Sequence, residues 1–120
     1  MRAKAKNRGA FIIKFRKILA MISLTEGSRE TLSFALALAK EYGAEVVLLH
    51  VLKLDMPEEE LGMPRERMLT LLRRDAEMEL HQLVQLAGPQ VPVRIVISEG
   101  NPINAIAQTA KSLASDLVVT

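Results

Sequence analysis

The chain has 120 residues, 49% of them hydrophobic and 25% charged, which is one domain's worth of sequence and too apolar for a disordered chain. It contains no cysteine, so disulfides, thiolate metal sites and thiol nucleophiles are excluded, and its only histidines, His50 and His81, have no carboxylate cluster beside them to make a transition-metal site. The formal charge of +2 hides an asymmetry: residues 1–17 carry seven Lys or Arg and no acid, whereas residues 18–120 carry nine basic against fourteen acidic side chains.

The basic stretch reads as an N-terminal extension over residues 1–16. Such a tail attracts nucleic acid or anionic lipid; its plainer role is a solvated, frayed terminus ahead of the first strand. Nucleic acid is not the expected partner, because the four aromatics (Phe11, Phe15, Phe34 and Tyr42) are too few for base stacking. The apolar run Ile18–Ile22 is shorter than the ~7–15 residues of a secretory core, and nothing approaches the ~18 of a membrane span. A cytoplasmic protein is expected.

The first element is a strand at Lys17–Leu24 (KILAMISL), whose five central apolar residues suit a strand buried on both faces of a parallel sheet. The turn TEGS at 25–28 offers Thr25 and Ser28 as helix N-caps. A helix over Arg29–Tyr42 follows, with Leu32, Ala35, Leu36 and Ala39 at helical spacing, and Gly43 stands where a helix stops on a left-handed residue. Ala44–Leu52 (AEVVLLHVL) is a second buried strand. Residues 53–64, with Pro57, Gly62, Pro64 and the acidic run Glu58–Glu60, read as a loop. From Arg65 to Ala87 the pattern is helical, with Met68, Leu71, Leu72, Met78, Leu80, Leu83 and Leu86 as a core-facing stripe in which methionine serves as filler. Gly88-Pro89 ends this helix.

Val91–Ile97 (VPVRIVI) is a third strand, and Pro92 suits a sheet edge. Asn101 is a good N-cap and Pro102 a favoured first residue for a helix through Ile106, Ala110 and Leu113. Leu117–Thr120 opens a fourth strand. The order β-α-β-α-β-α-β requires right-handed crossovers, so the expected fold is α/β, an open parallel sheet with helices on both faces.

Ligands of such sheets bind beyond the carboxyl ends of the strands, where the strand order reverses. With an order of 3-2-1-4 that point lies between strands one and four, walled by Ser23–Ser28 and by the chain from Thr120 onward, where helix N-termini offer N–H groups to an anion. No G-x-G-x-x-G and no G-x-x-x-x-G-K-[ST] loop is present. Catalytic machinery is equally thin. His50 reads as a packed or hydrogen-bonded histidine, His81 as solvated, Glu58–Glu60 as a solvated cluster, and Ser23 has neither a candidate base nor a nucleophile-elbow context. An enzyme is not expected.

KILAMISLTEGS at 17–28, L-x-x-A-L-x-L-A-K-E-Y-G-A-E-V-V-L-L-H-V-L at 32–52, VISEGNPINAIA at 96–107 and A-x-D-L-V-V at 114–119 together resemble the universal stress protein family. The resemblance spans roughly 100 residues and implies an adenine nucleotide alpha hydrolase-like fold with a five-stranded parallel sheet in the order 3-2-1-4-5. It further implies a regulatory domain over residues 17–120 of the ATP-binding or the non-binding class. In the binding class an Asp ends strand one, where this chain has Ser23. The valine after the strand-two histidine, whose backbone meets adenine, is Val51. A glycine-rich loop that holds ribose and phosphates begins just after the position of Thr120. Ser23, Val51 and Thr120 are thus the implied nucleotide contacts, with ATP the implied ligand and no metal. Because the loop and the fifth strand lie past Thr120, impaired ATP binding is expected of these 120 residues. The alternative expectation is an interaction module without nucleotide, which pairs with itself or with a protein partner through the strand-four edge.

Overall fold

The computed structural model describes residues 16–114 and 117–119. The basic extension, Arg16 excepted, and Thr120 lie outside the described residues. The elements in chain order are β1 (Lys17–Met21), α1 (Ser28–Tyr42), β2 (Glu45–Leu52), a 3-10 turn at Glu58–Glu60, α2 (Arg65–Ala87), β3 (Val93–Glu99), α3 (Pro102–Ser112) and β4 (Leu117–Val119). The four strands form one sheet in the order β3-β2-β1-β4, with every neighbouring pair parallel. Both the class and the strand order expected from the sequence hold.

Direction of travel fixes which face each helix covers. From β1 to β2 to β3 the chain steps one way across the sheet, so right-handed crossovers put α1 and α2 on the same face. From β3 to β4 it returns past two strands, and α3 crosses the opposite face. Strand alternation divides the core accordingly. Ile18, Ala20, Ile22, Val46 and Leu48 pack with Leu32, Ala35 and Ala39 of α1 and Leu80 of α2. On the other face Leu19, Val47, Leu49 and Val51 pack with Ala105 of α3, backed by Ile106, Ala110 and Leu113.

Local signals hold at three of the four helix ends considered. Gly43 and Gly88 close α1 and α2 in the left-handed conformation. Asn101 caps α3, its Oδ1 accepting from the N–H groups of Ile103 (2.9 Å) and Asn104 (3.1 Å), with Pro102 in the first turn. The start of α1 differs. Gly27 occupies the N-cap and no side chain caps the helix. Ser28 lies inside the helix, its Oγ accepting from the Thr25 N–H at 3.0 Å, while the Thr25 hydroxyl pairs with that of Ser23 at 2.7 Å. The hydroxyls expected to cap α1 instead tie the preceding loop together.

The stripe expected on α2 also needs correction. Only Ala76 and Leu80 of this helix are buried, whereas Leu71, Met78 and Leu86 are exposed, Leu86 to 75%. The apolar positions of α2 occupy two faces, and the sheet covers one.

Candidate functional site

At the carboxyl edge of the sheet, strand parity decides which backbone groups have partners. Arg16 O accepts from Glu45 N–H and Leu49 O accepts from Ile22 N–H, so the odd residues of β2 turn their backbone groups toward β1. Val46 N–H donates to Pro92 O and Leu52 O accepts from Gly100 N–H, so the even residues turn toward β3. The β1–β2 ladder closes with the bond from Ile22 N–H to Leu49 O at 2.8 Å. Val51, next in the odd series, turns its N–H and C=O toward the opening left where β1 departs.

β1 departs because Leu24 adopts a positive φ of 61°, an uncommon backbone for a branched side chain, which bends the chain away after Ile22. The Ser23–Thr25 hydroxyl bond and the Thr25 N–H bond to Ser28 Oγ hold that bend. Met21 pairs with Leu49, and Ser23 and Val51 each stand two residues beyond that pair. The structure thus places both implied contacts at the same edge. Val51 is buried against the α3 face, while Ser23 is exposed. Thr120, the third, lies outside the described residues.

Ile22 O is the acceptor that the ladder would offer to Val51 N–H. It accepts instead from His50 Nδ1, at 2.7 Å. A carbonyl only accepts, so Nδ1 carries the proton. No backbone hydrogen bond of Val51 N–H continues the ladder among the described residues. That N–H therefore stands at the edge where ligands of parallel sheets bind. His50 is hydrogen-bonded, as its place in an apolar strand suggests.

The two helix N-termini at this edge differ from each other. The first N–H groups of α3 are taken by Asn101, and the first turn of α1 carries Glu30, which opposes an anion there. The N-terminus of α3 is therefore closed to an anion, while that of α1 has no side-chain cap and carries an acidic first turn. The edge offers the N–H and C=O of Val51 beside an apolar wall formed with α3.

The remaining features lie elsewhere. The loop after β2 is closed by Arg65, whose guanidinium donates to Leu54 O at 2.9 Å and to Met56 O at 2.6 Å, while its N–H donates to Glu58 Oε2. That assigns one of the three glutamates to loop closure. His81 lines an open groove of about 320 Å³ between α2 and β3 with Arg73, Glu77, Ile95 and Ile97. Among the described residues no group of His, Asp or Glu could hold a metal ion, and no helix is long and apolar enough to cross a membrane.

Comparisons with known proteins agree with this architecture. Comparison with curated proteins gave no match. Universal stress protein UspA from Lactobacillus plantarum superposes with a TM-score of 0.74 at 19% identity, over 90% of this chain and 77% of that one. A protein of the universal stress protein family from Burkholderia pseudomallei gives 0.66 at 19% identity, over 87% and 79%. A universal stress protein in complex with cAMP gives 0.60 at 14% identity, over 88% and 71%. At such identities the likeness shows the fold. The family model described as the universal stress protein family matches residues 14–120, and with nearly the whole sequence matched the chain belongs to the universal stress protein family.

Proposed function

We propose that this chain is a regulatory domain that binds an adenine nucleotide through the base, without turning it over. The observation that carries this reading is Val51: its N–H and C=O turn to the carboxyl edge beside the apolar α3 face, while its ladder acceptor, Ile22 O, is engaged by His50. The amino group and ring nitrogens of adenine match that donor and acceptor pair. ATP is the proposed ligand, and the cAMP bound by one structural neighbour extends the proposal to other adenine nucleotides. Phosphates contribute little in this reading, since Asn101 occupies the α3 N–H groups.

Calorimetric titration with adenosine, cAMP and ATP tests this. Saturable binding of all three at affinities within about tenfold of one another supports a base-led site. No binding by any of them sinks the reading, and phosphate release from ATP by the purified chain sinks its non-enzymatic part.

A second reading, a module that self-associates through β4, is favoured by Val118, an apolar side chain 38% exposed on the strand that borders the sheet. Under it, a Val118→Lys substitution abolishes self-association seen by sedimentation. A sedimentation profile that ignores the substitution removes this reading.

A further inference from the structure

We propose that His50 is a positioning residue, which keeps the Val51 N–H available to ligand by occupying the carbonyl that would otherwise bind it. The inference rests on the nucleotide reading only for its consequence; its structural half stands on the hydrogen bonds alone.

The argument follows the ladder. Along β2 the odd residues face β1, and the bond from Ile22 N–H to Leu49 O fixes the register at the last rung. One rung further, the regular parallel pattern joins Val51 N–H to Ile22 O. His50 lies one residue before Val51 and reaches that oxygen through Nδ1 at 2.7 Å, the short end of the N–H···O range. A side chain thus competes with the backbone for one acceptor, as hydrogen-bonding side chains do at helix caps and turns. The effect is to end the ladder one bond early and leave a donor at the edge where a ligand enters. A carbonyl has two lone pairs, so the competition acts by drawing Ile22 O toward the imidazole and away from the line the Val51 amide would need.

The consequence is unusual and testable. Substituting a half-buried, hydrogen-bonded side chain ordinarily loosens its surroundings. Here, His50→Leu should tighten one amide, because Ile22 O is released to Val51 N–H. His50→Asn retains a donor close to the position of Nδ1 and should preserve the arrangement.

The experiment is amide hydrogen exchange by NMR on the ligand-free chain and on H50L and H50N. It is paired with ATP and adenosine titrations of all three. The expected result is that Val51 exchanges faster than Leu49 in the unchanged chain and in H50N. In H50L its protection should rise by about tenfold or more. Affinity should fall about fivefold in H50L, one hydrogen bond's worth, and return in H50N. Val51 protection that stays level or falls in H50L, with Leu49 still protected, overturns the inference. Should H50L fail to fold, scalar coupling across the hydrogen bond decides. Coupling from His50 Nδ1–H to the Ile22 carbonyl supports the proposal, and coupling from Val51 N–H to that carbonyl overturns it. If the unchanged chain binds no adenine compound, the nucleotide reading fails, and the exchange result still decides the role of His50.

Discussion

Ser23 stands at the end of β1 with its hydroxyl turned to Thr25, a neutral pair at 2.7 Å on the exposed rim of the proposed site. A carboxylate there would accept from a ribose hydroxyl or an adenine amino group with a charge-assisted bond, roughly twice as strong as a neutral one. Ser23→Asp should therefore raise affinity for adenosine about fivefold, or about 1 kcal/mol, measured by calorimetry. Adenosine is the proper probe, since the added charge would repel phosphates. Asn101 makes a second prediction: Asn101→Ala strips a cap that serves two N–H groups and should cost about 1 kcal/mol in a denaturant titration. Asn101-Pro102 and the two closing glycines were legible because each role is settled within one turn of backbone. Thr25 and Ser28 were not, since several hydroxyls within six residues compete for the same partners. Val51 was legible as a position through resemblance alone. That its N–H escapes the ladder depends on where β1 stops and on His50 at Ile22 O, and a strand read as far as Leu24 conceals that bend.

Helix α2 shows why periodicity finds an element more readily than its buried face. Its 23 residues carry apolar side chains on two faces, so the sequence permits two stripes, and the sheet selects the one through Ala76 and Leu80. Arg73 helps fix that choice by donating to Ile97 O and to Glu99 Oε2, both at 2.9 Å, which ties the helix to the edge strand. The two stripes should differ sharply under mutation. Leu80, fully buried against both α1 and the sheet, should cost about 2–5 kcal/mol as Leu80→Ala. Leu86→Gln, at a position 75% exposed, should lie within about 0.5 kcal/mol of the unchanged chain. Chemical denaturation of the pair checks the assignment, and a larger loss from Leu86→Gln than from Leu80→Ala would show that the helix packs through its other face. Strand β3 was simpler: Pro92 and the alternation of Val91, Val93, Ile95 and Ile97 marked an edge strand, and it is one.

Across the whole molecule, the two-faced core ties binding to stability. The proposed site sits where β1 and β2 part, with Val51 belonging to the α3-side core and His50 and Ile22 anchoring the other side of the same edge. A ligand seated there bridges elements that unfolding separates, so it binds the folded state alone and stabilises it by mass action. At a concentration one hundred times its Kd that amounts to about 2.7 kcal/mol, which for a domain of this size raises Tm by roughly 10 °C. Adenosine and ATP compared at equal multiples of their own Kd should give the same shift. Compared at equal concentration they separate the base from the phosphates. A base-led site, with the α3 N–H groups already engaged by Asn101, gives nearly coincident melting curves for the two ligands. A markedly higher Tm with ATP would mean that phosphates are held after all, and would move the proposed site from the Val51 side of the edge toward the start of α1.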